Sequence, residues 1–419
     1  MASPDVPDLG EYRERAGDWL RDNLPSRKAN SPVRAGHDLS PDQLASDRAQ
    51  QKRLYDAGYA GIAVPVEYGG QGLTAAHEKA WQREASSYAL PMPGGIAFGV
   101  TIGIVLPTVL AYASEDQKRS WVPKMLSAEE IWVQLLSEPG AGSDLAAVLT
   151  RATQDGEDWV LNGTKVWSSG AMSADYGVCL ARTNWDVPKH RGLTWFKVPL
   201  HDDRVTVRPI REVNGGSEFC EEFLDDVVVG ADMMIGEVDG GWPIANAMLG
   251  FERANIGNAA GQPLGGRKHR ALPSDLMSAA EIAGATSDPL ARQAIARIHA
   301  EDTVLGLLAR RIGAAVMTGQ MDAGAVSYLK LGQGLLQPDR ACAAMEIAAR
   351  GAIAWRPDAP GEELATNYLN GRIMAIAGGS NQIQRNIISE RVLGLPREPS
   401  EDRGKSFADV LRDARNWGQ

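Results

Sequence analysis

The stretch QLLSEPGAGSD, residues 134–144, lies where a helical sequence gives way to one made of strands. Upstream, residues 9–24 place Tyr12, Ala16 and Leu20 on one stripe, because residues four apart share a helix face. Helical patterns continue to about residue 127. The fold is therefore expected to change class at this stretch, from helices to a β domain.

Strand patterns fill the next hundred residues. WVLNGTKVW, residues 159–167, is nearly symmetric about Asn162-Gly163, which predicts a β-hairpin whose two-residue turn lies there. Four more segments are rich in β-branched and aromatic residues, as strands are: 176–183, 192–200, 205–210 and 218–229. Together these segments predict a compact β domain.

From Trp242 onward the sequence is helical again, and strands occupy only the middle third. The candidate helices are 242–260, 274–285, 288–319, 322–355, 361–376 and 380–394. This order predicts an α+β multidomain protein. We expect an N-terminal helical domain over 1–130, a middle β domain over 131–240 and a C-terminal helical bundle over 241–419.

Composition narrows the class of protein. The 419 residues are 44% hydrophobic and 23% charged, with a net charge of −10 at pH 7, so the chain is globular and lacks the basic footprint of a nucleic-acid binder. Its three cysteines lie far apart, which argues against a disulfide framework or a metal site. With no signal peptide at the N-terminus, a reducing, cytoplasmic setting is expected.

Residues 90–114 carry no charge and place Gly95, Gly99 and Gly103 at four-residue spacing. Such spacing occurs in membrane helix pairs. Three prolines interrupt the stretch, so we predict a buried helix of a globular protein and no membrane span. A glycine face leaves space for a ligand or lets a second helix approach closely, and the sequence does not separate these two.

Two motifs offer groups that bind ligands. The loop within residues 134–144 presents backbone N–H groups and hydroxyls, which suit an anionic or carbonyl-rich ligand, although it also serves as a plain connection. Trp167 beside Ser168 and Ser169 suits a planar heteroaromatic ligand, by stacking and hydrogen bonding. A core tryptophan is the other reading of the same residues.

Taken in order, EPGAGSD (138–144), NGTKVWSSG (162–170) and GGSNQIQRNIISERVLG (378–394) resemble the acyl-CoA dehydrogenase family. AVPVEYGGQGL (63–73) and VVVGADMMIGEVDGGW (227–242) are similar to that family too. The resemblance implies a C-terminal four-helix bundle and FAD bound between the β domain and the C-terminal helices. It also implies α,β-dehydrogenation of an acyl-CoA or acyl-carrier thioester.

The resemblance implies site residues by position. Those that match cofactor-binding positions are Gln134, Leu136, Ser137, Ser143, Trp167, Ser169, Ser380 and Gln382. Those that match the substrate side are Gly99, Gly103, Ser143 and Arg253. The backbone N–H of Gly378 is expected to bind the thioester oxygen.

The catalytic base departs from the common family pattern. Many members carry a glutamate where this chain has Gly378, while a minority place it on the helix after the β domain, at the position of Glu252. Ile244 and Met248 share a helical face with Glu252, and a carboxylate on an apolar face is costly unless it is paired or functional. Glu252 is thus predicted to be the base. A structural pair with a neighbouring cation is the alternative, although adjacent Arg253 is not the obvious partner.

The far end of FAD also departs from the family pattern. Residues 261–273 and 346–352 lack the arginine and glycine motifs that typical homotetramers use for the pyrophosphate and adenosine. These departures, with HRGLTWFKVPL (190–200) and RPIREVNGGSEF (208–219), resemble dehydrogenases of steroid and other bulky acyl-CoA side chains, some of which are heterotetramers of two paralogues. We expect a homotetramer or dimer, or such a heterotetramer, that passes electrons to an electron-transfer flavoprotein or a similar acceptor.

Two other functions fit the same motifs. One is a catalytically silent subunit that only completes a paralogue's FAD site, and the retained flavin-side motifs argue against it. The other is a flavin monooxygenase on the same fold, which needs no base for the α-proton. The visible spectrum of the purified protein distinguishes the silent subunit from a dehydrogenase. Flavin reduction by acyl-CoA without oxygen distinguishes the monooxygenase from a dehydrogenase.

Overall fold

The computed structural model describes residues 6–27, 40–261, 272–353 and 361–416. Within these ranges, α-helices precede a β-sheet and further α-helices follow it, as the sequence predicts. The first group is α1 Leu9–Asn23, α2 Pro41–Asp56, α3 Ala75–Ala85, α4 Ile96–Val100, α5 Leu106–Tyr112 and α6 Glu115–Leu126. The strands are β1 Trp132–Leu135, β2 Arg151–Asp155, β3 Asp158–Ser169, β4 Tyr176–Arg182, β5 Leu193–Pro199, β6 Val205–Pro209, β7 Phe219–Val229 and β8 Met234–Ile235. The second group is α7 Gly241–Gly261, α8 Ser274–Ile282, α9 Pro289–Met317, α10 Ser327–Ala348, α11 Arg350–Ile353, α12 Glu362–Asn370, α13 Asn381–Ile387 and α14 Phe407–Asn416.

Local signals set the ends of the N-terminal helices. Asp8 caps α1 by accepting hydrogen bonds from the N–H groups of Gly10 and Glu11, which satisfies donors that a helix start leaves free. Ser114 and Gln117 form a reciprocal capping box at the start of α6. The stripe predicted in α1 is confirmed, since its apolar residues are buried.

The uncharged segment folds as a broken, buried helix. Gly95 lies before α4 with a φ of 60°, and a π-helical turn, Thr101–Val105, separates α4 from α5. The prediction that Gly95, Gly99 and Gly103 share one helical face is therefore wrong for Gly95, because a positive φ starts the helix after it. Within the described part of the chain, we find no helix with both the length and the apolar character that a membrane crossing requires.

The strands form one sheet in the order β6-β7-β3-β2-β4-β5-β8, with β1 parallel to β4 at its side. One face packs on α5 and α6 through residues such as Val109, Val122 and Trp195. The other face encloses a second core that includes Leu161, Phe196 and Leu224. Each face of the sheet is thus buried, and the loop at 134–144 leaves it directly from β1.

The predicted hairpin turn at Asn162-Gly163 is wrong. Both residues lie inside β3, where the pairing with β7 shifts by one residue between Leu161 and Gly163. The chain reverses instead between β2 and β3, where Asp155 pairs with Asp158. Gly163 allows Thr150 to approach the strand closely, because an added Cβ at Gly163 would lie 2.4 Å from Thr150 Oγ1. The Asn162-Gly163 segment therefore lies opposite a bulge, since β7 has one residue more than β3 between these two pairs.

The candidate C-terminal helices are confirmed with two divisions, and one of them splits residues 361–376 into α12 and a 3₁₀ turn, Ile373–Ala375. Residues 322–355 split into a 3₁₀ turn, Ala323–Val326, followed by α10 and α11, because Ala349 takes a φ of 47° that ends α10. Buried side chains of α8, α9 and α10 form a core of their own, with Leu276, Ile298 and Leu336 among its members.

The sequence did not predict α14. Its Phe407 stacks on Trp185 with ring centroids 5.9 Å apart, and the Arg182 guanidinium lies 3.9 Å from the Phe407 ring centre. The chain divides into two compact units, residues up to Phe251 together with those from Ser400 onward, and Glu252–Pro399. This division does not test the three predicted domain boundaries, which stay predictions.

Candidate active site

Gln134 is the first predicted cofactor residue of the β domain. It lies in β1, in register with Val178 of β4. Its side-chain Nε2 is buried and has no hydrogen-bond partner among the described residues. Leaving a buried donor unpaired costs about 1–3 kcal/mol, so this atom is suited to a ligand that brings a carbonyl acceptor.

Trp167 occupies a bulge at the end of β3. The register with β7 shifts between Val166 and Ser168, and Trp167 has a φ of 69°. Its side chain is 57% exposed and touches the Phe219 ring edge-on. The bulge therefore presents an indole to the surface, and the reading of Trp167 as a core tryptophan is wrong.

The serines beside Trp167 differ in environment. Ser168 is buried and donates a hydrogen bond to Glu222 Oε2 at 2.8 Å, whereas Ser169, the last residue of β3, is half-buried. The tryptophan and Ser169 thus remain available to a ligand while Ser168 fixes the strand from inside.

The loop after β1 is fastened to the same strand. Val166 donates its N–H to the Ser137 carbonyl at 2.9 Å, so the loop and the Trp167 bulge are adjacent. Leu136 and Ser137 are half-buried, and Ser143 is exposed. The structure therefore brings these predicted residues together in one region of the β domain.

A buried ion pair, which sequence reasoning missed, supports this loop. Lys165 Nζ lies 2.8 Å from Glu138 Oε1 and also donates to the carbonyls of Leu136 and Leu180. The Glu138 carboxylate accepts the N–H groups of Leu149 and Thr150 as well. Burial acts to raise the pKa of Glu138, but the Lys165 ammonium and these hydrogen bonds outweigh it and lower the pKa. Glu138 is therefore a structural anion.

Glu222 is a second buried acid that sequence reasoning missed. Burial raises its pKa to about 8, against the opposing effects of Ser168 and Lys165. Its Oε1 has no partner among the described residues. Cys220 and Leu224 are buried on either side of it in β7. That two-residue alternation could have identified Glu222 as an inward-facing acid.

The C-terminal turn, residues 374–380, carries the predicted Gly378. Gly378 and Gly379 have φ values of 65° and 88°, a region that glycine enters without strain. Gln384 Nε2 donates to the carbonyls of both glycines, at 3.0 and 3.2 Å. Gln384 is fully buried. The buried Gln384 side chain therefore stabilises the turn through two hydrogen bonds.

The other residues predicted at this turn lie at the start of α13. Ser380 caps the helix, with its Oγ accepting the N–H of Ile383 at 3.3 Å, and Gln382 is exposed. Among the described residues, Gly378 donates its N–H to no backbone carbonyl. This N–H is therefore available to donate a hydrogen bond to a ligand oxygen, and its role toward the thioester stays a prediction.

Glu252, the predicted base, is half-buried on α7. Ile244 and Met248, on the same helical face, are buried. Two cations interact with its charge, those of Arg253 and Lys330. Burial lowers the pKa of Arg253, and the Glu252 carboxylate acts against this effect. Lys330 was not foreseen, because it lies far along the chain from Glu252.

The glycines predicted on the substrate side are half-buried at Gly99 and Gly103. A Cβ added to Gly99 would meet only the Met92 Cε, at 4.0 Å. Close helix packing therefore does not require glycine at this position. Residues 261–273, where the sequence departs from the family's motif for the far end of FAD, lie mostly outside the described residues.

Comparisons with known proteins agree with this architecture. Profiles of the acyl-CoA dehydrogenase N-terminal, middle and C-terminal domains match residues 12–129, 134–227 and 239–393. The chain is 36% identical over 396 residues to the acyl-CoA dehydrogenase IpdE1 of Mycobacterium tuberculosis, covering 94% of this chain and 99% of that one.

Solved structures are similar as well. The Tcur3481–Tcur3483 steroid ACAD superposes with a TM-score of 0.74 at 27% identity, covering 95% of this chain and 100% of that one. The ChsE4–ChsE5 complex of Mycobacterium tuberculosis gives a TM-score of 0.69 at 25% identity, covering 95% and 100%. The predicted family and fold are confirmed: the chain belongs to the acyl-CoA dehydrogenases, enzymes that typically depend on FAD.

Proposed function

We propose that this chain introduces a Cα–Cβ double bond into the CoA thioester of a bulky, ring-containing acyl group. Glu252 would remove the α-proton, and the β-hydrogen would leave as hydride to FAD, so that two electrons and two hydrogens pass from the substrate. The observation that carries the proposal is the Glu252 carboxylate on the apolar face of α7, with two cations acting on it.

The β domain offers residues that fit FAD. The unpartnered Gln134 Nε2 suits a ring carbonyl, and the exposed indole of Trp167 suits a flat aromatic ring. Leu136, Ser137 and Ser169 complete this region, and Ser380 and Gln382 stay predicted cofactor-binding residues. The chemistry that FAD supplies when bound is acceptance of the hydride from Cβ.

Gly378 is proposed to serve the thioester. Its N–H donates to no described backbone carbonyl, and a backbone donor of this kind stabilises the negative charge that the thioester oxygen gains as the α-proton leaves. The same residue cannot act as the base, because glycine has no side chain. Ser143 and Arg253 are proposed to bind the remainder of the acyl-CoA.

The substrate class follows from two supports. One similar solved structure is a steroid ACAD, and the space beside Gly99 is open to a wide acyl group. The acyl group would be carried by CoA or by an acyl carrier protein, and a substrate panel that includes both carriers would distinguish them.

The assembly is proposed to involve a paralogue. One similar structure is the ChsE4–ChsE5 complex, and residues 346–352 of this chain lack the glycine pair that typical homotetramers use. A second, related subunit would then complete the distal FAD site. An electron-transfer flavoprotein or a similar protein is proposed as the electron acceptor.

The test is anaerobic reduction of the flavin by a panel of acyl-CoAs, with the chain purified alone and with a co-expressed paralogue. We expect the fastest reduction with a steroid-derived acyl-CoA. Glu252→Gln keeps the size of the side chain but removes the basic oxygen. A positioned base contributes roughly 10²–10⁴-fold, so reduction should slow by at least that lower figure while FAD content is retained. A rate within about tenfold of wild type would exclude Glu252 as the base.

A further inference from the structure

Lys330 is a buried lysine on α10 that the proposed mechanism does not yet use. Lys330 is 0% exposed, and its Nζ donates a hydrogen bond to the Met374 carbonyl at 2.7 Å. Met374 begins the turn, residues 374–380, that carries Gly378. Lysine is almost never fully buried without a partner, so this burial needs a physical reason.

Helix α10 lies directly against that turn. A Cβ added to Gly334, one helical turn after Lys330, would lie 2.1 Å from Asn381 Oδ1 and 2.9 Å from the Met374 carbonyl. Asn381 also donates to the Gly334 carbonyl at 3.2 Å. The contact is thus tight enough that the position of Lys330 Nζ fixes the start of the turn.

The same ammonium interacts with Glu252. Burial lowers the pKa of Lys330, and the Glu252 carboxylate opposes that effect. Arg253, on the same helix as Glu252, is the other cation that acts on this carboxylate, and Arg391 in turn acts on Arg253. Lys330 differs from Arg253 because it comes from another helix and holds the Gly378 turn as well.

We propose that Lys330 is a positioning residue for the dehydrogenation, because one ammonium both fixes the turn bearing the Gly378 N–H and interacts with the Glu252 carboxylate. The inference rests on the proposed role of Glu252 as the base. Its physical basis is that a positive charge close to a carboxylate favours the ionised form, which alone can accept a proton. A single side chain therefore couples the geometry of the thioester contact to the charge state of the base.

Three substitutions separate the two roles. Lys330→Arg keeps the charge, Lys330→Gln keeps a donor for the Met374 carbonyl without the charge, and Lys330→Met removes both. Lys197→Gln is the matched control, because Lys197 is also a buried lysine, paired with Glu130 at 2.9 Å in the β domain, and has no proposed role in the reaction.

The first readout is the pH profile of anaerobic flavin reduction. The acid limb is the low-pH part of the profile, where the rate falls as the catalytic base becomes protonated, and it should move to higher pH in Lys330→Gln and Lys330→Met. Lys330→Arg and Lys197→Gln should leave the limb in place. A limb that does not move in Lys330→Gln would overturn the electrostatic role.

The second readout is hydrogen exchange of the amides in residues 374–380, which does not depend on the flavin. Exchange should accelerate in Lys330→Met but much less in Lys330→Gln. Equal protection in all variants would overturn the structural role. The proposed function fails separately, if Glu252→Gln reduces flavin at the wild-type rate, since that result removes the base and leaves the exchange readout of the turn intact.

Discussion

Two regions of this chain present backbone groups and polar side chains for binding, and they are held in different ways. In the β domain, the loop after β1 is fixed by a buried ion pair, since Lys165 is 0% exposed and lies 2.8 Å from Glu138. In the C-terminal turn, Gln384 and Lys330 donate to backbone carbonyls, and no acid fixes the turn among the described residues.

The difference follows from what surrounds each region. The β1 loop leaves a sheet that is buried on both faces, where Lys165 finds both carbonyls and a carboxylate to satisfy its donors. The turn at Gly378 points two successive carbonyls at one side chain, because both glycines have positive φ. Losing one partner of the buried ion pair at the β1 loop leaves an uncompensated charge, whereas the neutral amide of Gln384 makes weaker hydrogen bonds that water replaces more easily.

Lys165→Met should produce the largest effect. It leaves the Glu138 carboxylate buried without its cation, and removing one partner of a buried pair costs about 3–5 kcal/mol. The free energy of unfolding of the β domain, followed by tryptophan fluorescence in urea, is the measurement. Lys52→Met, which removes an exposed pair with Asp56, is the control and should change stability far less, because solvent screens an exposed pair. If the two variants lose the same stability, the β1 loop does not depend on its charges.

Glu222→Gln should change how stability depends on pH. The pKa of Glu222 is raised to about 8 in the folded chain from 4.5, so the folded state holds a proton that the unfolded state releases between these values. Stability from this group is complete below about pH 4.5 and is lost as pH rises toward 8, by about 1.4 kcal/mol per pH unit inside that window. The glutamine variant should lose this slope and gain about 3 kcal/mol at pH 7.

The control for Glu222 is Glu221→Gln, the half-buried neighbour whose side chain points to the other face of the strand. It should keep the wild-type slope. The measurement is the free energy of unfolding in urea at pH 5, 6, 7 and 8. A slope that persists in Glu222→Gln would show that other groups cause it.

Gln384→Met should have the smallest effect. It removes the amide donors of the Gly378 and Gly379 carbonyls, at a cost of about 1 kcal/mol because water replaces part of the loss. Hydrogen exchange of residues 374–380 should accelerate, and Asn386→Met, at an exposed position on the same helix, should not change it. A stability loss equal to that of Lys165→Met would contradict the contrast between the two regions.

Much of the fold was predictable because it depends on neighbours in the sequence. The helix of residues 9–24 follows from its apolar stripe, and the apolar face of α7 that carries Glu252 follows from Ile244 and Met248. The strand limits of β4, β5 and β7 agree with the predicted segments within one or two residues. Local periodicity determines these elements because it sets which face each helix or strand buries.

What only the tertiary structure decided is which distant residues meet. Asn162-Gly163 has the local chemistry of a turn, but contact with Thr150 and pairing with β7 make it part of a long strand. Lys165 meets Glu138 across 27 residues, and Lys330 meets the Met374 carbonyl across 44. A buried cation is stable only where packing brings oxygen atoms to it. The local sequence pattern therefore does not reveal the buried positions of Lys165 and Lys330. The sequence alone determined the order of the elements and the position of the predicted base.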